Sequence, residues 1–171
     1  MMWPFIAGDI TVEGSRVSDA MDLANVHADA FSHNWSGDEI TRMIKSDNIR
    51  ALQCRRPSTW LRPPSLGPKG FVLARVAADE AEILTIAVAN DARSLGIGKT
   101  LMRAIMSDLY ADRIKHLFLE VDETNEAAVA LYHGLKFKEV GERKSYYTAD
   151  KSNGDETRPR PRALVMRADL R

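Results

Sequence analysis

Apolar residues along this chain follow two periods, and the switches between them mark its elements. Glu82-Ile83-Leu84-Thr85-Ile86-Ala87-Val88 is short and rich in β-branched residues, which predicts a strand. From Ile97 the period lengthens. Ile97, Leu101, Met102, Ile105, Met106 and Leu109 recur at helical spacing. Ile114-Lys115-His116-Leu117-Phe118-Leu119-Glu120-Val121 reads as a buried strand, with Glu120 near its end on the Phe118 face. A short helix follows over 124–132, which Thr124 or Asn125 can cap. Leu135 to Val140 predicts a turn into another strand, and Ala163-Leu164-Val165-Met166 a late one. In the N-terminal half, Ile10-Thr11-Val12 alternates weakly, as an edge strand would. Ser18 can cap a helix carrying Met21, Ala24, Ala28 and Phe31 inward. Ser36-x-x-Glu39 is a capping box opening a helix with Ile40, Met43 and Ile44 on one face.

Two segments break this rhythm. Residues 53–69 hold Pro57, Pro63, Pro64 and Pro68 with Arg55, Arg56, Arg62 and Lys69 and no acid. Proline removes donors and fixes φ, so this stretch reads as a loop between strands. It is either a basic lip for an acidic partner or a solvated insertion that Trp60 could anchor. Residues 152–162 contain Arg158-Pro159-Arg160-Pro161-Arg162, a second such insertion before the late strand.

Composition changes the picture little. At 171 residues the chain fits one domain with a sizeable core, and 44% apolar with 28% charged residues is ordinary for a soluble protein. Lys plus Arg equal Asp plus Glu at 24 each, so no global field calls for nucleic acid or membrane. No run is long and apolar enough to span a bilayer, and Met1 to Ile10 lacks the basic start of a signal peptide. A single cysteine, Cys54, cannot form an internal disulfide, which suits a reducing cytoplasm. His27, His33, His116 and His133 show no metal-ligand spacing with Cys54, so no metal site is expected.

The junction between strand and long helix carries the chemistry. Arg93-Ser94-Leu95-Gly96-Ile97-Gly98 is a Gly-bearing turn that aims unpaired helix N–H groups outward, where the dipole favours an anion. Arg93 adds a permanent forked donor for phosphate oxygens, and Lys99 a further charge. A P-loop would need Gly at position 93, and the Rossmann fingerprint would need Gly at 101; Arg and Leu stand there. The pattern [RQ]-x-x-G-x-[GA] fits at every defined position. Together with Ile86-Ala87-Val88, Leu119-Glu120-Val121, Asn125, Ala130-Leu131-Tyr132 and Phe137, it resembles the acetyl-CoA half of the GCN5-related N-acetyltransferase (GNAT) family. The chain is most similar to that family's ribosomal-protein-alanine N-acetyltransferase branch, the RimI type. Tyr146-Tyr147, the late strand and Phe31-x-x-x-Trp35-Ser36 add to the likeness. It departs at Lys136, where a Gly is common, and in the longer 152–162 hairpin, which lacks an acidic pair before the last strand.

The resemblance implies one N-acetyltransferase domain over 1–171, with its acetyl-CoA core at 71–150 and the 53–69 loop inserted. The fold would be α/β, a mixed, mainly antiparallel sheet splayed near Val88 and Val121, with helices on both faces. It implies Glu120 as base, through water, and Tyr132 as acid toward the leaving sulfur. Ile86, Ala87, Val88 and Asn125 would hold the pantetheine arm, and Arg93, Ser94, Leu95, Gly96, Ile97, Gly98 and Lys99 the pyrophosphate. Trp35, Tyr146 and Tyr147 would flank the acceptor. Residue chemistry agrees in part. A carboxylate can accept an amine proton and a phenol can give one. Plainer readings stand beside these: a strand-end charge for Glu120, a helix-face aromatic for Tyr132, an N-cap for Asn125, a core aromatic for Trp35.

The implied acceptor is the N-terminal alanine of a small-subunit ribosomal protein, in the cytoplasm, with no membrane or direct nucleic-acid partner. An α-amine with a pKa of about 7.7–8.0 lies roughly 2.5 units below a lysine at about 10.4 and costs about 3.4 kcal/mol less to deprotonate, so a modest base suffices more easily. Lysine acetylation, acetylation of a small amine, and a non-catalytic acyl-CoA sensor are the alternatives. The presence of both Glu120 and Tyr132 counts against the sensor.

Overall fold

In the computed structural model, residues 5–7, 10–55, 67–144 and 162–171 are described. Their frame is one eight-stranded sheet in the order β1-β2-β3-β4-β5-β6-β8-β7. The strands are β1 (Phe5–Ala7), β2 (Ile10–Gly14), β3 (Ile49–Arg55), β4 (Gly70–Ala77), β5 (Glu80–Val88), β6 (His116–Asp122), β7 (Lys138–Lys144) and β8 (Arg162–Asp169). All neighbours are antiparallel except β5 and β6. The helices are α1 (Ala20–Ala30), α2 (Gly37–Ile44), α3 (Ile97–Ala111) and α4 (Glu126–Gly134).

The sheet divides two cores. Phe71 to Ala74 in β4 are all fully buried, because consecutive side chains point to opposite faces and both faces are covered. Val72 and Ala74 meet Leu101, Met102, Ile105 and Leu109 of α3 and Leu117, Leu119 and Val121 of β6. Phe71, Leu73 and Ala87 meet Leu23 and Val26 of α1 and Ile40 of α2. A mixed, mainly antiparallel sheet with helices on both faces is the predicted architecture.

The parallel pair is the break that matters. β5 and β6 pair only at Glu80 with His116, Ala81 with Leu117 and Glu82 with Phe118. Beyond Glu82 the strands diverge, so the two ends carrying Val88 and Val121 splay as predicted. A bulge assists this. Leu73 faces Thr85 while Ala74 faces Ile83, leaving an extra residue, Leu84, in β5. An extra residue bends its strand and shifts the alternation of faces. Ile83 accordingly packs with the α3 core, Leu84 with the α1 core, and Ile86 and Val88 again with the α3 core.

Several local readings are corrected. β2 is not the edge among the described strands, because β1 covers it. Helix α1 begins at Ala20 rather than after Ser18, behind a 3-10 turn over Val17–Asp19 whose Arg16 amide donates to Asp19. Its buried face is Ala20, Leu23, Val26 and His27, whereas Met21 and Phe31 are exposed. The alanines made the neighbouring stripe read as apolar as the true one. Gln53, Cys54 and Arg55 belong to β3 rather than to the loop. The Gln53 amide donates to Glu13 and Asp19, and the Arg55 guanidinium bridges the same two acids. Arg55 is thus a sheet-end clamp and not part of a basic lip. Lys69 pairs with Asp91 at 2.6 Å, whereas residues 56–66, including Trp60, and the Arg/Pro run before Arg162 lie outside the described residues. The Ser36 capping box is present: the Glu39 amide donates to Ser36 Oγ and the Ser36 amide to Glu39.

Candidate active site

The site is built where β5 and β6 part. The Ala89 amide donates to the Lys69 carbonyl on the β4 side. Backbone groups alternate sides along a strand, so those of Ile86 and Val88 point away from β4, into the gap that β6 has left. Ala87 faces β4 with its backbone, and its side chain is buried under α1. Two strand rungs are therefore open to an extended ligand, as an unpaired sheet edge is.

After Val88 the chain makes a 3-10 turn over Asn90–Ala92 and reaches the glycine loop. Ser94 and Gly96 both take left-handed backbone, with φ 62 and 79. Only glycine does so at little cost, which explains Gly96, where an added Cβ would meet nothing within 4 Å. Gly96 is the N-cap of α3 and has no side chain to cap it, and no acid stands in the first turn. The amides of Ile97, Gly98 and Lys99 thus lack intrahelical partners, and the positive end of a 15-residue helix is left open to an anion. Arg93, Ser94, Leu95 and Lys99 are exposed around it. A Cβ on Gly98 would lie 3.6 Å from Leu131 of α4 and 3.9 Å from Val88. The end of β5, the start of α3 and α4 therefore converge at one point.

Glu120 and Tyr132 lie on opposite faces of the sheet, Glu120 on the part of β6 that has parted from β5. Leu117, Leu119 and Val121 face the α3 core, so Glu120 projects from the other face. Its side chain is 35% exposed, and its Oε1 accepts from Arg143 Nη1 of β7 at 2.9 Å. Tyr132 lies in the α3 core, against the Phe137 ring at 5.8 Å. Burial pushes its phenol up to about 12, which keeps it protonated at neutral pH. Among the described residues none hydrogen-bonds its hydroxyl. Asn125 is the N-cap of α4, its Oδ1 accepting from the Ala128 amide at 3.2 Å; its amide nitrogen remains for a ligand.

In the α1–α2 loop, Trp35 is half-buried and stacks on His27, with centroids 4.8 Å apart and planes at 9°. Tyr146 and Tyr147 lie outside the described residues. Lys136 takes φ 71, a left-handed conformation that glycine adopts at little cost, so lysine bears the strain of this turn. Cys54 is fully buried and its thiol is pushed up to about 11 by burial, so it is no nucleophile. Among the described residues no group of three or more His, Cys, Asp and Glu could hold a metal, and no helix is long and apolar enough to cross a membrane.

Three contacts were not legible in the pattern. Arg143 reaches Glu120 across β8, a neighbour set by strand register. His27 underlies Trp35. Asn90, at the start of the glycine loop, donates from its amide and its side chain to the Asp29 carboxylate at 2.7 and 2.8 Å, tying α1 to that loop. A side-chain amide directly after a strand was the one available signal.

Comparison with known proteins meets this geometry from outside. A bS18-alanine N-acetyltransferase of Salmonella typhimurium is 35% identical over 85 residues, which is 50% of this chain and 57% of the relative. The chain thus matches little more than half the length of that relative. The crystal structure of the ribosomal-protein-S18-alanine N-acetyltransferase from Escherichia coli superposes with a TM-score of 0.77 at 25% identity, covering 94% of both chains. Arabidopsis thaliana NAA60 in complex with acetyl-CoA shares the fold, with a TM-score of 0.74 at 18% identity over 94% of this chain and 98% of that one. The family model described as acetyltransferase (GNAT) matches residues 22–137, from α1 through the glycine loop to the turn after α4. With the splayed strands, the open helix end and that match in agreement, the chain belongs to the GNAT family of acetyltransferases.

Proposed function

We propose that this chain transfers acetyl from acetyl-CoA to the N-terminal α-amine of a protein, with the N-terminal alanine of a small-subunit ribosomal protein as acceptor. The observation that carries the reading is an uncapped helix end beside two open strand rungs, at the gap left by the diverging half of β6 that bears Glu120, with Tyr132 on α4, the helix whose Leu131 flanks Gly98. The bS18-alanine relatives and the structural likeness over 94% of the chain support the choice of acceptor. A cytoplasmic setting accords with the buried single thiol.

The gap fits the cofactor: left-handed Gly96 leaves room beside the α3 amides, and Ile86 and Val88 present free backbone groups. Acetyl-CoA, when bound, supplies an acetyl group activated as a thioester. The amides of Ile97, Gly98 and Lys99, with Arg93, would hold the pyrophosphate. Ile86 and Val88 extend the sheet to the pantetheine arm, and the free amide nitrogen of Asn125 donates to it. Glu120, with Oε1 held by Arg143, keeps Oε2 for a water that takes the proton of the attacking amine. Tyr132 would hydrogen-bond the departing sulfur through its hydroxyl, the thiolate taking its proton from water. A phenol at about 12 is a weaker acid than a thiol near 8.5, so its help is a hydrogen bond that strengthens as charge develops on sulfur. Trp35, Tyr146 and Tyr147 bound the acceptor.

The test is CoA release with two peptides. One begins with a free alanine and the ribosomal-type N-terminus; the other has a blocked N-terminus and an internal lysine. Turnover on the first alone is expected. Turnover mainly on the second would move the protein to lysine acetylation. Silence on both with acetyl-CoA still bound would end the α-amine reading in favour of a small amine or a sensor.

A further inference from the structure

His27 is a buried polar residue that the acetyl-transfer chemistry leaves unused. It is 4% exposed, near the end of α1. Its Nδ1 accepts the Trp35 backbone N–H at 3.2 Å, across eight residues of chain. Its ring is stacked on the Trp35 indole and lies 4.6 Å from the Phe31 ring and 6.2 Å from that of Phe71 on β4. One side chain thus fixes both the backbone and the ring of Trp35 in the α1–α2 loop.

We infer that His27, as the neutral Nε2–H tautomer, is the residue that positions Trp35 as the acceptor-side wall, and that its protonation releases that wall without disturbing the cofactor loop. The second half rests on the acceptor reading of Trp35 given above.

The chemistry is specific. An imidazole ring nitrogen accepts only while it carries no proton, so the Trp35 bond requires Nδ1 to be bare. Protonation at Nδ1 would turn the acceptor into a donor facing another donor. The surroundings disfavour the cation. Leu23 and Phe31 on its own helix, Phe71 on β4 and Trp35 in the loop are uncharged, and Glu39 on α2 is the charged group whose field reaches the ring. Burial lowers the His27 pKa below the usual 6.5, against the opposing pull of Glu39. The sign follows. As pH falls below 6.5 the unfolded chain takes up a proton that the folded site still refuses, so the stability this site contributes is present above 6.5 and is lost toward the lowered folded value. The cofactor loop takes its shape from the backbone at Ser94 and Gly96, and its tie to α1, from Asn90 to Asp29, does not involve the His27 ring.

The experiment uses the full chain with Trp3→Phe and Trp60→Phe, so that Trp35 is the sole indole. Its emission is followed from about pH 7.5 to about pH 5. A transition with its midpoint below the ordinary histidine value is expected, and it should vanish in His27→Asn, whose carbonyl accepts the same N–H without titrating. With the alanine peptide near pH 7.5, His27→Phe should raise acceptor KM about tenfold, while His27→Asn stays within about threefold of the parent and acetyl-CoA Kd moves by less than about twofold in both. A flat emission profile, a transition that persists in His27→Asn, or an unchanged KM in His27→Phe would each overturn the inference. The emission arm needs no acceptor, so it decides the His27–Trp35 linkage even where the peptide proves to be the wrong substrate.

Discussion

The two sides of the splayed sheet are built from different materials. On the proposed cofactor side, β5, the glycine loop and α3 offer mostly backbone: open rungs at Ile86 and Val88 and uncapped amides behind Gly96. On the proposed acceptor side the parts are side chains held by other side chains, Trp35 on His27 and Glu120 under Arg143, and Asn90 on Asp29 links the two sides. Backbone amides are the same whatever the sequence, so the first side needs only a few residues that permit a conformation. The second must be assembled from residues far apart in the chain. A fold family can therefore keep one cofactor while its acceptors diverge.

This contrast can be broken by mutation, and the largest expected effect lies at the reacting atoms. Glu120→Gln should lower turnover by about 10²–10⁴, the usual worth of a general base, with acetyl-CoA affinity unchanged by calorimetry. Turnover within about twofold of the parent would remove Glu120 from the mechanism. Tyr132→Phe keeps the ring against Phe137 and deletes only the hydroxyl. It should cost about tenfold or more in turnover, and melting should show the core intact. Because burial holds the phenol at about 12, alkaline pH should not remove its proton below about pH 10; an earlier alkaline fall in turnover, absent in Tyr132→Phe, would contradict that.

Backbone effects come next. Gly96→Ala places a Cβ in open space but at φ 79, so the strain is conformational, about 1 kcal/mol. Weaker acetyl-CoA binding is expected, with acceptor KM unaffected at saturating cofactor. The Asp29–Asn90 clasp should show a coupling of about 1 kcal/mol in a double-mutant cycle of Asp29→Ala and Asn90→Ala by denaturant melts. Additive effects would mean that the clasp does not tie α1 to the glycine loop. The smallest effect runs the other way. Lys136→Gly relieves a left-handed lysine at φ 71 and should stabilise the protein by about 0.5–1 kcal/mol without altering turnover.

Much of the cofactor side was legible in the order of residues. The strand before the glycine loop, the loop pattern and the face of α3 through Ile97, Leu101 and Ile105 are local, and local spacing reports local structure. The Ser36 capping box was legible for the same reason. The face of α1 was not. Met21, Ala28 and Phe31 extended an apolar stripe from Ala24 as plausible as Leu23, Val26 and His27, and only packing against β4 showed that Ala24 alone of them faces the core. Gln53 and Arg55 read as loop beside the prolines, because their acidic partners, Glu13 and Asp19, are remote in sequence.

By itself, then, the sequence determined an anion-binding turn between a strand and a helix, a carboxylate near the end of the next strand, and an aromatic on the helix after it. Those follow from periodicity and from what glycine alone permits at φ above zero. The tertiary structure decided what these parts face. The bulge at Leu84 and the short β5–β6 pairing open the gap, the register of β7 on β8 brings Arg143 to Glu120, and the packing of α1 lays His27 under Trp35. Each of these is a non-local pairing, fixed by sheet geometry and burial rather than by neighbours along the chain.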